Sequence, residues 1–189
     1  MLGHSHMVIG IASWTAVGAY VGYTIDLPSV FCAAVGALFP DIDHPRSTIN
    51  RMFKPLKVLG KWVPHRGPTH SLLFIVCVTS LLLWIDSTYT DIHFQHWLLA
   101  FWVGCISHLV TDWMTRGGIP IFWPLPNRFS MPGSFLTGSW KEKFCVYLAI
   151  TGMVVYFTRS YEHPLVVQSL DYIMNIISLA FSKIKGMIP

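Results

Sequence analysis

The sequence predicts an all-α fold, a polytopic integral membrane helical bundle with about six membrane segments. Hydrophobic residues make up 53% of the 189 residues, and charged residues make up only 12%. A soluble domain carries about 25% charged residues, so this chain has too few charges to cover a water-facing surface. The composition excludes a disordered chain and disfavours an ordinary soluble domain.

The candidate spans are six apolar stretches separated by polar or basic loops. They cover residues 7–23, 27–39, 71–85, 97–114, 144–158 and 165–181. A membrane-spanning helix needs roughly 20 apolar residues, so the short second stretch is either a tilted span or a re-entrant segment. We assign all six stretches to a single membrane-embedded domain, residues 1–189.

The basic residues predict an orientation for this bundle. With six spans, both termini and the two long loops, residues 40–70 and 116–143, lie on one side of the membrane. That side then holds all but one of the 13 Lys and Arg residues. The positive-inside rule makes it the cytoplasmic side. We therefore expect a multi-pass membrane protein with cytoplasmic N- and C-termini, and no nucleic-acid partner.

The stretch of residues 49–63 has the pattern of a basic amphipathic helix. Apolar residues recur at helical spacing, and four basic residues lie between them: Arg51, Lys54, Lys57 and Lys61. Such a helix binds the membrane surface, where each basic residue near anionic lipid contributes about 1 kcal/mol. The sequence thus predicts an interfacial helix in contact with anionic lipids, and the alternative is a solvated helix in a cytoplasmic loop.

Histidine and aspartate gather in four clusters, which the predicted topology brings to the cytoplasmic ends of the helices. Ionisable groups in a membrane segment are costly, and they usually face the bundle interior or a cavity. Imidazole and carboxylate groups suit zinc, manganese or iron. We therefore predict one or two divalent ions, most simply zinc. The candidate ligands are His6, Asp41, Asp43, His65, His70, His108 and Asp112.

The local spacing of these residues supports a shared site. His108 and Asp112 are four residues apart, so both face the same side of a helix. Asp41 and Asp43 flank one residue in an extended or turn segment, and two such carboxylates are expected to point the same way. Each cluster alone has a simpler explanation, such as a hydrogen-bonded pair or a helix cap. Their joint position at one membrane face favours the metal site.

Three further positions suggest catalysis on the cytoplasmic side of the membrane. The motif HRGPTHS predicts a helix start with His70 in its first turn, and a helix N-terminus favours anions such as phosphate. Arg66 beside it would stabilise charge on a phosphoryl or acyl oxygen. Asp43 or His44 would shuttle the proton of an attacking water. The candidate catalytic residues are therefore Asp43, His44 and Arg66.

Four motifs together resemble a known family. In chain order, SHMVIGIA, PDIDHP, HRGPTHS and SHLVTDWMTRGGIPIFWP are similar to motifs of the YdjM-like, LexA-regulated inner-membrane family of metal-dependent hydrolases. The resemblance covers roughly two thirds of the chain, and it implies a polytopic inner-membrane protein with a metal-dependent hydrolase activity. The family positions correspond here to His6, Asp41, Asp43, His44, His65, Arg66, His70, His108 and Asp112.

The resulting hypothesis is a membrane-bound, metal-dependent hydrolase of phosphoesterase or phospholipase type. The site at the membrane suggests an amphiphilic, lipid-like substrate, most simply a phospholipid or another lipid phosphate ester. Two alternatives stay open. The first alternative is a transporter or metal-handling membrane protein, because intramembrane His and Asp also mark ion paths. The second alternative is a non-catalytic membrane protein in which a metal only holds the helices together.

Overall fold

The computed structural model describes residues 1–52, 66–89 and 95–161, and this part of the chain is mostly helical and contains no strands. Its α-helices are α1 (Gly3–Val21), α2 (Leu27–Leu38), α3 (Thr48–Met52), α4 (Leu72–Tyr89), α5 (Gln95–Trp113) and α6 (Trp140–Tyr161). Two short 3-10 helices, Phe39–Asp43 and Pro68–His70, precede α3 and α4. The chain divides into two compact units, Met1–Ile150 and Thr151–Pro189, and all the predicted site residues belong to the first.

The predicted bundle of six membrane spans is wrong. Within the described ranges, no helix combines the length and the apolar character that crossing a bilayer requires. The apolar stretches are short or interrupted: α2 has only 12 residues, where a span needs about 20, and α5 buries polar residues such as Ser107 and Thr111. The predicted cytoplasmic termini depended on the span count and lose that support. Residues 53–63 of the predicted interfacial helix and the sixth stretch lie outside the described residues.

Helices α1, α2 and α5 pack closely through small residues. A Cβ atom at Gly36 of α2 would overlap the backbone oxygen of Phe101 in α5, and one at Gly104 of α5 would overlap the backbone oxygen of Ala33 in α2. Beside this contact, the fully buried Trp14 of α1 donates a 2.9 Å hydrogen bond from Nε1 to a serine hydroxyl at the start of α2. Only glycine permits this approach of two helix backbones.

The contacts along these helices fix their directions. Gly10 of α1 lies against Ala37 near the end of α2, whereas Trp14 contacts its start, so α1 and α2 are antiparallel. Ala33 and Ala37 lie against successive turns of α5, so α2 and α5 run in the same direction. The beginning of α1 therefore lies at the same end of the bundle as the ends of α2 and α5.

Helix α4 and the loop after α5 cover the other side of α5. Ile75 of α4 packs against Cys105 and Leu109 of α5 and against Ile119 of the loop, all of which are buried. The backbone N–H of Leu72 donates a 3.0 Å hydrogen bond to the loop at residue 121. This packing holds the segment just before α4, which includes His70, beside the end of α5.

Candidate metal centre

Five of the predicted ligands come together where α1 begins and α2 and α5 end. One ligand atom from each residue forms two overlapping groups, in which the atoms lie within 4.8 Å of one another. The groups are His6–Asp41–His108 and His70–His108–Asp112. The three histidines are at most 1% exposed. The fold therefore concentrates three imidazoles and two carboxylates in a site shielded from bulk water.

The donor atoms of His70, His108 and Asp112 have a spacing that fits a single divalent ion, and Asp41 lies close to two of them. His70 Nε2 lies 3.3 Å from His108 Nε2, 3.5 Å from Asp41 Oδ1 and 3.6 Å from Asp112 Oδ2. His108 Nε2 lies 3.7 Å from Asp41 Oδ1 and 3.9 Å from Asp112 Oδ2. Ligands about 2.0 Å from a tetrahedral ion lie about 3.3 Å apart, so small movements would bring His70, His108 and Asp112 into coordination.

Hydrogen bonds turn the Nε2 atoms of two histidines toward the site. His108 Nδ1 lies 2.7 Å from the backbone oxygen of Ala37, which can only accept, so Nδ1 carries the proton. His6 Nδ1 lies 2.8 Å from the hydroxyl of Thr111, which itself donates to backbone oxygens one turn earlier. The hydroxyl therefore accepts from His6. In both rings the hydrogen bond occupies Nδ1, so Nε2 is the nitrogen that can bind a cation, as metal-binding histidines require.

His70 is held from behind by Asp43. The Thr69 hydroxyl donates a 2.7 Å hydrogen bond to Asp43 Oδ2, and His70 Nδ1 lies 3.1 Å from that hydroxyl and 3.4 Å from that carboxylate oxygen. Asp43 also accepts a 2.8 Å hydrogen bond from the backbone N–H of Arg66. A carboxylate behind a histidine in this way fixes the ring and raises its basicity.

The two aspartates of PDIDHP therefore point in different directions, contrary to the sequence-based expectation. Phe39–Asp43 is a 3-10 helix rather than an extended turn. Residues two apart on a helix with three residues per turn face directions about 120° apart. Asp41 consequently faces His70 Nε2 and His108, whereas Asp43 lies on the Nδ1 side of His70. The 3-10 helix Pro68–His70 also places His70 before α4 and not in its first turn.

The ionisation of these groups favours a bound cation. Burial by itself would lower the pKa of His70, but its hydrogen bond to Asp41 and neighbouring carboxylates raise that pKa to about 9. Burial lowers the pKa of His108 to about 3. For Asp41 and Asp112, burial is outweighed by the histidines, so the pKa of each carboxyl falls below its ordinary value. The negative charge of the ionised carboxylates is thus balanced either by a protonated His70 or by a divalent ion.

The side chain of Arg66 contacts one of the ligand carboxylates. Its Nη2 lies 3.0 Å from Asp112 Oδ2, and its side chain passes so close to Gly117 that a Cβ there would overlap Nη1. The backbone of Arg66 has φ 57°, a left-handed conformation that is uncommon for a residue with a side chain. Its N–H bond to Asp43 holds it there. The same residue thus joins Asp43 behind the site to Asp112 within it.

A pocket of about 370 Å³ opens beside the two ligand carboxylates. Asp41 and Asp112 line it together with His44, and its other walls include Arg46, Arg51 and Arg66. Its volume is within the usual range for small-molecule sites, about 300–1,000 Å³. His44 accepts a 3.2 Å hydrogen bond from a backbone N–H and stands at the pocket wall, outside the two ligand groups. His65 lies outside the described residues.

Several residues that support the site were not identified from the sequence. Thr69 and Thr111 bind ligand histidines, and their positions next to a ligand in the chain were the available signal. Asn50 is fully buried and donates hydrogen bonds of 2.8 and 2.9 Å to the backbone oxygens of Ile42 and His44. It holds the PDIDHP segment in place, and nothing in its basic, amphipathic surroundings indicated this role.

Glu142 is a second support without a sequence signal. It is 1% exposed and lies in the first turn of α6. Its carboxylate accepts a 2.9 Å hydrogen bond from the N–H of Leu2 and a 2.7 Å hydrogen bond from the N–H of Gly138. Burial of this carboxyl is outweighed by its hydrogen bonds, so its pKa is lowered. Glu142 thereby fixes the beginning of α1, one turn before His6.

Comparison with known proteins identifies relatives of the whole chain. The family model described as YdjM inner membrane protein matches residues 1–182. Uncharacterized protein YvsG of Bacillus subtilis (strain 168) is 39% identical over 144 residues, which are 76% of this chain and 86% of that protein. Inner membrane protein YdjM of Escherichia coli (strain K12) is 28% identical over 156 residues, or 80% of this chain and 78% of that protein. No solved structure matches. The resemblance based on the four motifs is confirmed.

Proposed function

This chain belongs to the YdjM inner membrane protein family, and we propose that it is a metal-dependent hydrolase that cleaves phosphate esters of amphiphilic molecules at a membrane. The family match supports the membrane location. The convergence of three imidazoles and two carboxylates beside an open, basic pocket supports the activity. Phosphate is the group in a lipid that such a pocket binds best, because guanidinium groups form paired hydrogen bonds with it.

The donor set fits a divalent ion, with zinc the simplest choice and manganese or iron also compatible. When bound, such an ion supplies Lewis acidity, which activates water near neutral pH and stabilises charge on a phosphoryl oxygen. His70, His108 and Asp112 would hold one ion, which leaves a tetrahedral position for water or substrate, and the carboxylate of Asp41 would lie next to it. His108 has only one free ring nitrogen, because its Nδ1 is bonded to Ala37, so it serves one of the two overlapping ligand groups at a time.

The residues around the donor set have complementary roles. Arg66 binds the phosphoryl group and orients it, since its guanidinium lies 3.0 Å from a ligand carboxylate and also lines the pocket. His44 at the pocket wall would accept the proton of the attacking water on Nδ1, in place of the 3.2 Å hydrogen bond from the N–H of Arg46. Asp43 keeps the His70 ring in the orientation that presents Nε2. Asp43 thus acts through His70 rather than on the substrate.

The pocket favours catalysis over a purely structural metal. Structural zinc sites are closed by four protein ligands, whereas catalytic sites keep a position for water or substrate. Here the carboxylates of Asp41 and Asp112 face both the donor cluster and the pocket. A small molecule in the pocket therefore has direct access to the ion. A metal-handling protein would share the ligands but would have no use for a pocket lined by arginines.

Exposed apolar side chains support a lipid-facing surface. Large apolar residues are exposed on α4 and in the loop that follows α5. They include Leu73, Val76, Leu81, Trp84, Phe122, Trp123 and Leu125. Large apolar side chains exposed in this number are typical of a surface that binds a membrane or a partner. We propose that it contacts membrane lipids, with anionic lipids near the arginines of the pocket, and that the substrate is drawn from them.

Hydrolysis by the purified full-length chain tests this function. The substrates are a lipid phosphate monoester and a lipid diphosphate ester in mixed micelles, and phosphate release is measured. We expect turnover that chelation abolishes and that added Zn²⁺ or Mn²⁺ restores. Asp41→Asn should lower it by at least about 100-fold, because removing an essential group from a catalytic site costs several kcal/mol.

Asp26→Asn is the matched control, since Asp26 caps α2 at the end away from the donor cluster and asparagine caps equally well. Its turnover should equal that of the unchanged protein. Turnover that survives both chelation and Asp41→Asn would eliminate the proposed function.

A further inference from the structure

The pocket beside the metal centre has a deep end and an outer end. At the deep end, Asp112 contacts Arg66, whose side chain is only 15% exposed, and Asp41 also lines the pocket. At the outer end, Arg46 and Arg51 line the pocket, and both are exposed. The two ends thus offer two separate places for negative charge, one buried and one at the entrance.

The positive charge of the pocket exceeds the negative charge of a single phosphate group. Among the described residues that line it, the carboxylates are Asp41 and Asp112, and a divalent ion beside both would cancel their charge. The positive groups that then remain are the guanidinium groups of Arg46, Arg51 and Arg66 and the amino group of Met1, which contacts Asp112. A phosphate monoester carries about 1.5 to 2 negative charges near pH 7. A second phosphoryl group adds at least one more, which matches the two outer arginines.

We propose that the substrate class of this site is a diphosphate ester. The inference rests on the proposed hydrolase function and specifies its substrate. The terminal phosphoryl group occupies the deep end beside Arg66, the second phosphoryl group lies against Arg46 and Arg51, and the organic group extends outward. Arg46 and Arg51 are specificity-determining residues, because they bind the part of the substrate that a monophosphate ester lacks.

The reaction is a hydrolysis that balances without any further reactant. The oxygen of water forms a bond to the terminal phosphorus, and the bond from that phosphorus to the bridging oxygen breaks. The bridging oxygen keeps the electron pair and leaves on a monophosphate ester, while inorganic phosphate is released. One proton of the water passes to Nδ1 of His44 at the pocket wall, which gives up its hydrogen bond from the N–H of Arg46. Arg46 and Arg51 stabilise the negative charge of the leaving monophosphate.

Anion binding to the metal-free protein tests the proposal without catalysis. Calorimetric titration compares inorganic pyrophosphate with inorganic phosphate. We expect pyrophosphate to bind at least about tenfold more tightly, because hydrogen bonds to charged groups are worth about one tenfold step or more each. The double variant Arg46→Gln/Arg51→Gln should lose this preference. Arg116→Gln, which removes an exposed arginine that does not line the pocket, should keep it.

Hydrolysis by the zinc-loaded protein is the second measurement. Farnesyl diphosphate should be cleaved at least about tenfold more efficiently than farnesyl monophosphate, with the difference confined to the unchanged protein and Arg116→Gln. ADP is a diphosphate ester with a polar organic group, so it tests whether the substrate is a lipid. Cleavage of ADP that is slower than that of farnesyl diphosphate supports a lipid diphosphate. Equally fast cleavage overturns the lipid part of the proposal.

The two measurements separate the two levels of the hypothesis. Equal binding of both anions, or a preference for pyrophosphate that persists in the double variant, overturns the diphosphate proposal and leaves the hydrolase function standing. If no phosphate ester is cleaved, the hydrolase function falls, while the titration still decides whether the pocket selects pyrophosphate. Metal content, measured in every variant, should be unchanged, since neither outer arginine contacts a ligand atom in the described contacts.

Discussion

Two regions of this protein pair histidine with aspartate, and they lie at opposite ends of α2. At its end, the metal centre brings together groups of α1, α5 and the two 3-10 helices, and of these only Asp41 is partly exposed. At its start, Asp26 Oδ2 lies 3.4 Å from His96 Nε2 and accepts a 3.2 Å hydrogen bond from Trp97 Nε1. The side chains of Asp26 and His96 are 36% and 30% exposed. A helix of 12 residues separates the regions by about 18 Å.

The comparison shows that a His–Asp distance does not define a metal site. The pair at the start of α2 is as close as those of the metal centre, but Asp26 has a local task. Its Oδ1 accepts a 2.8 Å hydrogen bond from the N–H of Ser29 and so caps the helix. In the metal centre, supporting bonds to Nδ1 leave several Nε2 atoms facing the same carboxylates. Convergence and orientation, rather than proximity, distinguish the two regions.

The largest expected difference between the regions is in metal affinity. His70→Ala removes a donor that lies within 3.6 Å of three others, and it should weaken zinc binding by more than about 100-fold, beyond the 10- to 100-fold loss typical of supporting residues. His96→Ala is the control in the other region and should leave zinc affinity unchanged within about twofold. Metal content after dialysis and competition with a chelator provide the measurement. Equal losses of zinc affinity in both variants would show that the metal centre does not differ from the exposed His–Asp pair in metal binding.

A smaller effect is expected from the carboxylate behind His70. Asp43→Asn keeps the shape of the side chain but removes the charge that raises the basicity of the ring. Zinc affinity should fall by about 10- to 100-fold, with the stoichiometry retained. Thr111→Val removes the acceptor for His6 Nδ1 and offers a second test of the same principle. A loss for Asp43→Asn as large as that for His70→Ala would instead make Asp43 a ligand, as the sequence predicts.

The smallest effect is expected at the exposed His96–Asp26 pair at the start of α2. Asp26→Ala removes the cap of α2 and should lower the free energy of unfolding by about 1 kcal/mol at pH 7, with zinc affinity unchanged. Burial slightly opposes ionisation of Asp26, but hydrogen bonds from Ser29, Trp97 and His96 lower its pKa overall. A lowered pKa stabilises the fold above the unfolded value of about 3.9, and this stability is lost as the pH falls further.

Thermal unfolding at a series of pH values checks this expectation. The difference between Asp26→Ala and the unchanged protein should shrink as the pH falls below about 4. Asp26→Asn, which retains a capping oxygen, should lose less stability at pH 7. A difference that grows on acidification would show that the carboxylate does not stabilise the fold in its ionised form.

The sequence alone determined the local features of the site. The spacing of His108 and Asp112 placed them on one face of a helix, because four residues make about one turn. The order of four motifs was specific enough to identify the family, which the match over residues 1–182 confirms. The apolar stretches showed where helices form, but they overstated membrane crossing, because apolar composition does not distinguish helices that bury against each other from helices that bury in lipid.

Only the tertiary structure decided which polar groups share the site and what each one does there. Asp41 and Asp43 look equivalent in the sequence, and the twist of a 3-10 helix separates them. The glycine contact between α2 and α5 brings Ala37 to His108 and so fixes its free nitrogen. The first result depends on a 3-10 helix that the residue pattern did not distinguish from an extended turn. The second depends on the close approach of segments that lie 71 residues apart in the chain.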